Sequence, residues 1–236
     1  MSNLKLYHIS RFFLKPLIIP LDYLQTKFTK YFSLMNIGTT STSTYNKMIK
    51  ALFNKKDFVL DCGCGIGHFA KLFDTNKYIG LDINSNFIIQ AKTQNPKHYF
   101  FSFEDKKILI YKKKVSTILI NNVIHHLSKD DMTRLFNYFK KNLVKKKIKV
   151  FVIEPIAPKN FFSFEFFIKA MDIGDYMNSY SGYLKVLGKF VIIKKHEKIK
   201  FEANTVFKGS SIIIEGYLRW VKKYNFNIIG DRKRHD

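Results

Sequence analysis

The stretch VLDCGCGIGHFA, from Val59 to Ala70, determines how this chain folds. It begins with an apolar run that ends in the carboxylate Asp61, and glycines follow at positions 63, 65 and 67. Glycine accepts backbone conformations that side chains forbid, and it lets a ligand approach the main chain closely. The pattern therefore predicts a short buried strand, a tight ligand-binding turn and a helix over residues 69–73.

The spacing of these glycines argues against two common phosphate sites. A dinucleotide fingerprint needs G-x-G-x-x-G, whereas this turn reads G-x-G-x-G and has His68 where the third glycine would fall. A phosphate-binding loop needs Gly-Lys-Ser/Thr, which is missing from the stretch. The carboxylate of Asp61 at the strand end would repel a phosphate and suits a cation instead.

Strand and helix patterns alternate downstream of this turn. We predict parallel strands over residues 58–60, 77–81, 99–103, 115–120 and 148–153, with helices over residues 45–53, 84–93 and 129–143. Two extended segments, 190–199 and 211–220, would pair antiparallel at the sheet edge. The expected fold is α/β: a Rossmann-like, doubly wound, mostly parallel seven-stranded sheet with a C-terminal antiparallel hairpin.

The chain divides into two predicted regions. Residues 1–44 form a basic, aromatic-rich N-terminal helical extension, which contains no uncharged apolar run of about 20 residues that could span a bilayer. This extension would cover the domain as a lid or lie in a membrane interface. Residues 45–236 form the main domain, with a small cap at 156–188 that includes a predicted helix over residues 161–171.

Composition indicates a large apolar core and a reducing compartment. The 236 residues are 46% hydrophobic and 16% aromatic, which is enough for a single sizeable domain. The two cysteines, Cys62 and Cys64, are too close in sequence for an unstrained disulfide. We therefore expect a cytoplasmic location.

The net charge of +23 has three interpretations. The 41 basic residues comprise 36 Lys and 5 Arg. Arg recognises phosphates and bases better than Lys, because its planar guanidinium can donate two hydrogen bonds at once, so this composition weakens the nucleic-acid interpretation. One interpretation is that A/T-rich coding explains the excess of lysine, and that these lysines lie on solvated faces. An anionic membrane surface and RNA or DNA are the two alternatives.

The glycine turn resembles motif I of the class I S-adenosylmethionine-dependent methyltransferases. The segment Tyr78–Asp82, YIGLD, is similar to the second-strand motif of that family, which ends in the acidic residue that binds the ribose hydroxyls. The resemblance implies that S-adenosyl-L-methionine is the cofactor, that S-adenosyl-L-homocysteine is the product and that no metal is needed.

Three further segments extend the resemblance to Pro155. One of Glu104 and Asp105 matches the residue near the adenine amino group, with the register left open, and Asn121 ends the fourth strand beside the expected sulfonium and substrate. Glu154-Pro155 closes the fifth strand as in many relatives. The implied cofactor-binding residues are Asp61, Gly63, Gly65, Gly67, Asp82, Ile83, Glu104, Asp105 and Asn121.

The candidate catalytic and substrate-binding residues each have a purely structural alternative. His126 would act as a general base, or the His125-His126 pair would only pack or cap a helix entry. Tyr176 and Tyr183 of the cap would contact the substrate, or would simply fill the core. Tyr45 resembles the family's N-terminal tyrosine that closes over the cofactor, and we group it with the substrate-binding candidates.

The methyl acceptor is approached by elimination. The fourth strand is followed by Asn121-Asn122-Val123-Ile124 rather than Asn/Asp-Pro-Pro-Tyr, and both cysteines lie in the cofactor turn, so base methylation is disfavoured. We expect transfer to an oxygen or nitrogen of a small-molecule, saccharide or lipid-linked acceptor, with peripheral contact of the N-terminus at the inner membrane surface. The alternatives are an RNA methyltransferase using the Lys-rich surface, and a catalytically silent binding protein of the same fold.

Overall fold

The computed structural model describes residues 42–145, 147–158, 176–202 and 208–220. Nearly all of the predicted N-terminal extension and most of the predicted cap, including the helix expected over residues 161–171, lie outside this part of the chain. The proposed domain boundaries therefore stay predictions. Among the described residues, no helix is long and apolar enough to cross a membrane.

The described elements follow the predicted alternation closely. The helices are α1 (Thr42–Ala51), α2 (Ser85–Gln94), α3 (Lys129–Asn142) and α4 (Tyr180–Leu187). The strands are β1 (Val59–Cys62), β2 (Tyr78–Asp82), β3 (Tyr99–Ser102), β4 (Thr117–Asn121), β5 (Lys149–Pro155), β6 (Val191–Glu202) and β7 (Lys208–Leu218). Short 3₁₀ turns occupy Ala70–Leu72, Thr75–Lys77, Lys106–Tyr111 and Ile124–His126.

The seven strands form one sheet in the order β3-β2-β1-β4-β5-β7-β6. Strands β1 to β5 are parallel, while β7 pairs antiparallel with both β5 and β6. This arrangement confirms the predicted α/β fold with its C-terminal hairpin. The strand order reverses between β1 and its neighbour β4, and such a switch point opens a crevice at the carboxyl ends of the strands.

The helix predicted over residues 69–73 is wrong. The structure has only the 3₁₀ turn Ala70–Leu72 there, and the chain then becomes extended at Phe73. Two contacts favour this ending: the Phe73 ring stacks on Tyr78 with 5.5 Å between centroids, and the Asp74 carboxylate accepts the N–H of Asn76. Such a local side-chain acceptor competes with helix continuation.

Both faces of the sheet are buried, as expected for a doubly wound fold. On one face, Leu60, Ile79, Ile118 and Val150 share an apolar cluster with residues of α3 and α4. Alternate strand residues point to the other face, where they pack with α1 and α2. These residues include Val59, Tyr78, Phe100, Leu119 and Phe151.

Gly80 of β2 packs closely against both the glycine turn and the Phe100 ring. A Cβ atom added at Gly80 would lie 2.5 Å from Cδ1 of Phe100 and 2.8 Å from Sγ of Cys64. No other residue fits at this position without displacing the turn or the ring.

We predict that Gly80→Ala lowers the free energy of unfolding by about 1–3 kcal/mol through overpacking. Urea denaturation of the purified chain measures the change. In the double variant Gly80→Ala/Phe100→Leu, the smaller side chain gives the methyl group room, so the two effects should be less than additive. Full additivity would contradict the packing argument.

Candidate functional site

The three glycines of the turn after β1 have different tasks. All have positive φ, at 76° for Gly63, 53° for Gly65 and 79° for Gly67. A Cβ at Gly63 would meet Cγ2 of Val123 at 2.2 Å, and one at Gly67 would meet the Phe100 ring at 2.8 Å, whereas one at Gly65 would have no atom within 4 Å. Gly63 and Gly67 therefore permit close packing, and Gly65 presents bare backbone to open space.

Asp82, at the end of β2, holds this turn in place. Its Oδ2 accepts the N–H of Gly65 at 2.8 Å, and its Oδ1 accepts the N–H of Asn84 at 2.9 Å. Burial raises the pKa of Asp82, and these backbone donors oppose the shift. A carboxylate has about four lone-pair sites, so this side chain can accept further hydrogen bonds from a ligand.

The turn is also tied to β2 through the main chain. The N–H groups of Gly63 and Cys64 both donate to the carbonyl of Leu81, at 2.7 and 3.2 Å. Ile83, which follows Asp82, is 85% exposed and offers an apolar surface beside the Asp82 carboxylate.

Asp61, at the end of β1, is buried against Tyr78 of β2. Its Oδ2 accepts the Tyr78 hydroxyl at 2.6 Å, and only 1% of its surface is exposed. Burial raises the pKa of Asp61 to about 7, the Tyr78 hydrogen bond opposes this shift, and the charge of Asp82 adds to it. The phenol partner of Asp61 could not have been inferred from the spacing of the glycine motif.

Helix α1 reaches the carboxyl end of β4 through one side chain. The Tyr45 hydroxyl donates to Oδ1 of Asn121 at 2.5 Å, and the Tyr45 ring lies 6.0 Å from that of Phe69. Burial, followed by the charge of Glu154, raises the pKa of Tyr45. The structure thus brings two of the predicted site residues, Tyr45 and Asn121, into direct contact.

Glu154 organises the turn after β4, a role that the sequence analysis missed. Its Oε1 accepts the N–H groups of Val123 and Ile124 at 2.9 and 2.7 Å. Its Oε2 accepts the backbone N–H of His125 at 3.3 Å and contacts Nδ1 of the same residue at 2.6 Å. Glu154 is fully buried, so these contacts replace the water that the carboxylate loses.

The two adjacent histidines have different environments. His125 is buried with Glu154, whereas His126 is exposed, and their ring centroids lie 4.0 Å apart. His125 is therefore part of the scaffold of this turn. His126 lies in the turn that Glu154 holds, and its role as a base stays a prediction.

The two acidic residues after β3 also differ. Asp105 accepts the N–H of Lys107 at 2.9 Å and caps the 3₁₀ turn Lys106–Tyr111, whereas Glu104 is exposed. Both lie just beyond the carboxyl end of β3, and the choice between them as adenine contact stays open.

The two cap tyrosines are separated by burial. Tyr183 of α4 is fully buried in the apolar cluster, so the packing alternative describes its observed surroundings. Tyr176 is 45% exposed, and its backbone N–H donates to the carbonyl of His125 at 2.8 Å. Of the two, Tyr176 lies beside the turn after β4, and substrate contact by either side chain stays a prediction.

Comparison with known proteins identifies the domain. Residues 60–146 match the family model of a methyltransferase domain. A SAM-dependent methyltransferase of Methanosarcina mazei has a similar structure, with a TM-score of 0.54 and 15% identity over 72% of this chain and 96% of that one. Magnesium protoporphyrin IX methyltransferase of Synechocystis, solved with bound SAH, gives a TM-score of 0.50 and 17% identity over 75% of this chain and 81% of that one.

One curated protein shows a local sequence similarity. The CRISPR-associated endoribonuclease Cas13a of Leptotrichia wadei is 29% identical over 113 residues, which are 48% of this chain and 9% of that protein. The matched segment spans less than a tenth of that protein, so the similarity is local.

The sheet order and the turn after β1 define the class I methyltransferase fold. With the match of the family model, residues 60–146 form a methyltransferase domain, and the described sheet has the fold of the solved SAM-dependent methyltransferases.

The buried Asp61 predicts an unusual dependence of stability on pH. An aspartate of an unfolded chain titrates near pH 4, so between about pH 4 and about pH 7 the folded protein holds a proton that the unfolded chain releases. Stability therefore falls as pH rises through this window. At about 1.4 kcal/mol per pKa unit, this loss is on the order of 4 kcal/mol, and Asp61→Asn removes it.

Denaturation curves recorded at several pH values for the wild type and Asp61→Asn measure this effect. Asp130→Asn, at an exposed position in the first turn of α3, is the matched control and should follow the wild type. Parallel stability curves for the wild type and Asp61→Asn would show that Asp61 titrates normally.

Proposed function

We propose that this chain transfers a methyl group from S-adenosylmethionine to an oxygen or nitrogen of a small-molecule acceptor. The observation that carries the proposal is the bare backbone of Gly65, whose N–H is fixed by Asp82 and whose open side a Cβ would fill. This gap lies at the switch point of the sheet, where α/β folds bind their ligands.

The residues around this gap suit the cofactor. S-adenosylmethionine supplies an electrophilic methyl group on a positively charged sulfonium. Asp82 would accept the ribose hydroxyls through its remaining lone pairs, and the exposed Ile83 would give the adenine an apolar surface. The Asp82 carboxylate makes this edge favourable for a cation and unfavourable for a phosphate.

Alignment is the main contribution that we assign to the protein. Orienting two reactants corresponds to effective molarities of about 10⁵–10⁸ M, whereas a positioned base adds typically 10²–10⁴-fold. Tyr45 and Asn121, joined by a hydrogen bond, together with the turn that Glu154 holds, form the fixed wall at the carboxyl end of β4. The acceptor would lie against this wall.

A small-molecule acceptor is supported by the comparison with Synechocystis magnesium protoporphyrin IX methyltransferase, whose name gives a small molecule as its substrate. Saccharide and lipid-linked acceptors fit the same chemistry, because each offers a hydroxyl or amine nucleophile. The region that would select among them is the predicted cap over residues 156–188, which includes Tyr176.

We predict that Asp82→Ala weakens binding of S-adenosylmethionine roughly tenfold to a hundredfold, since hydrogen bonds to a carboxylate contribute about 1.5–3 kcal/mol. Isothermal titration calorimetry measures the affinity, and circular dichroism checks the fold. The exposed Asp130→Ala is the matched control and should bind like the wild type. Failure of the wild type to bind the cofactor would overturn the proposed function.

Turnover distinguishes an enzyme from a silent binding protein. The wild type is incubated with S-adenosylmethionine and a panel of hydroxyl-bearing and amine-bearing small molecules, and release of S-adenosylhomocysteine is followed. Cofactor binding without turnover on any panel member or on a cell extract would favour the silent protein.

We assign His126 as the general base of the transfer because it is exposed in the turn that Glu154 fixes. With an acceptor that supports turnover, His126→Gln should lower kcat by about 10²–10⁴-fold, leave cofactor affinity unchanged and abolish the acidic limb of the pH–rate profile. The exposed His196→Gln is the control. A loss smaller than about tenfold with an unchanged profile would leave alignment as the whole contribution.

A further inference from the structure

The amino ends of the parallel strands carry a cluster of lysines that the methyltransferase site does not use. The registers of β1 to β5 place the segments that precede these strands along one edge of the sheet, opposite the cofactor edge. We call this surface the amino edge and define it by its nine described lysines. They are Lys55, Lys56, Lys77, Lys97, Lys112, Lys113, Lys114, Lys145 and Lys147.

The lysines of the amino edge face solvent with few neighbouring carboxylates. All are exposed except the half-buried Lys77. In the described parts of residues 54–58, 74–77, 95–98, 112–116 and 144–148, the acidic residues are Asp57 and Asp74. Asp57 lies 4.0 Å from the ammonium of Lys149, and Asp74 accepts the N–H of Asn76, so two carboxylates stand against nine lysines.

Hydrogen bonds join the segments of the amino edge into one surface. The Lys77 ammonium donates to the carbonyl of Lys55 at 3.0 Å, and that of Lys145 donates to the carbonyl of Lys114 at 2.9 Å. The backbone N–H of Val144 donates to the carbonyl of Lys112 at 3.2 Å. The positive charges are therefore held next to one another by the fold.

Exposed aliphatic side chains lie within this basic surface. Ile110 is 69% exposed, Val144 is 54% exposed and Leu109 is 37% exposed. Leu109 and Ile110 are separated from Lys112–Lys114 only by Tyr111, and the Val144–Lys112 hydrogen bond brings Val144 close to them. The combination is a small apolar patch with lysines around it.

We propose that the amino edge binds an anionic phospholipid bilayer, with Ile110, Leu109 and Val144 inserted at the headgroup boundary and the lysines among the headgroups. Lysines near such a surface attract its charge, and aliphatic side chains gain by leaving water. Nucleic-acid recognition relies more on arginine forks and on stacked aromatic rings. The described parts of the five segments that precede β1 to β5 contain lysines and no arginine, and Tyr99 at the start of β3 adds one ring, 47% exposed, beside them. The cofactor edge would then face away from the bilayer.

The test uses the full chain and cosedimentation with vesicles of phosphatidylglycerol and phosphatidylcholine, or of phosphatidylcholine alone. We expect binding to the anionic vesicles only. Neutralising three charges, Lys112→Gln/Lys113→Gln/Lys114→Gln, should weaken it on the order of 100-fold, at about fivefold per lysine. The matched control, Lys129→Gln/Lys198→Gln/Lys200→Gln, removes three exposed lysines near the carboxyl ends of β4 and β5, and should bind like the wild type.

A second pair of variants tests the apolar contact. Ile110→Ser should weaken vesicle binding by roughly threefold to tenfold through lost burial of apolar surface, while Ile89→Ser, at the 62% exposed Ile89 of α2, should not. Circular dichroism confirms folding of every variant.

Three results would overturn the proposal. The first is failure of the wild type to bind anionic vesicles. The second is equal weakening of binding by both triple variants, which would indicate an effect of overall charge alone. The third is binding of a polyuridine oligonucleotide that the Lys112–Lys114 variant loses, together with vesicle binding unaffected by Ile110→Ser, which would indicate a nucleic-acid surface.

Discussion

The hydrogen bond from the Gly65 N–H to the Asp82 carboxylate is the contact on which the site depends. It joins the turn after β1 to the end of β2. The Asp82 side chain therefore fixes the backbone of Gly65 and also lies beside it, where it can bind a ligand. The contact requires β1 and β2 to be parallel neighbours in the observed register, with Asp61 opposite Gly80. It also requires Gly80 to lack a side chain, because a Cβ there would press on Cys64 of the turn.

A second carboxylate performs a comparable task on the other side of β1. Glu154 of β5 binds three successive backbone N–H groups and the His125 ring, and so fixes the turn after β4. Hydrogen bonds to a charged acceptor contribute about 1.5–3 kcal/mol each, and an unpaired buried carboxylate would be strongly unfavourable. The crevice is thus bordered by two loops that are each held by a buried acidic side chain, while Tyr45 of α1 contacts the strand end between them through Asn121.

Local patterns predicted most of the fold, because the alternation of apolar runs and helical periodicity needs no long-range information. The Gly63–Gly67 turn and Asp82 could be placed at one end of the sheet for the same reason. The helix expected after the turn failed because Asp74 and the stacking of Phe73 on Tyr78 ended it, and neither contact is visible in periodicity. The partners of Asp61, Asn121 and Glu154 come from other segments of the chain, so their hydrogen bonds appear only after folding.

A crystal structure of the full chain grown with S-adenosylhomocysteine would settle whether Gly65 and Asp82 form a nucleoside site. The account predicts electron density for the nucleoside against the backbone of Gly65, with the ribose hydroxyls within about 3 Å of the Asp82 carboxylate. Density for the compound at another place, with the Gly65 backbone still exposed to solvent, would contradict it.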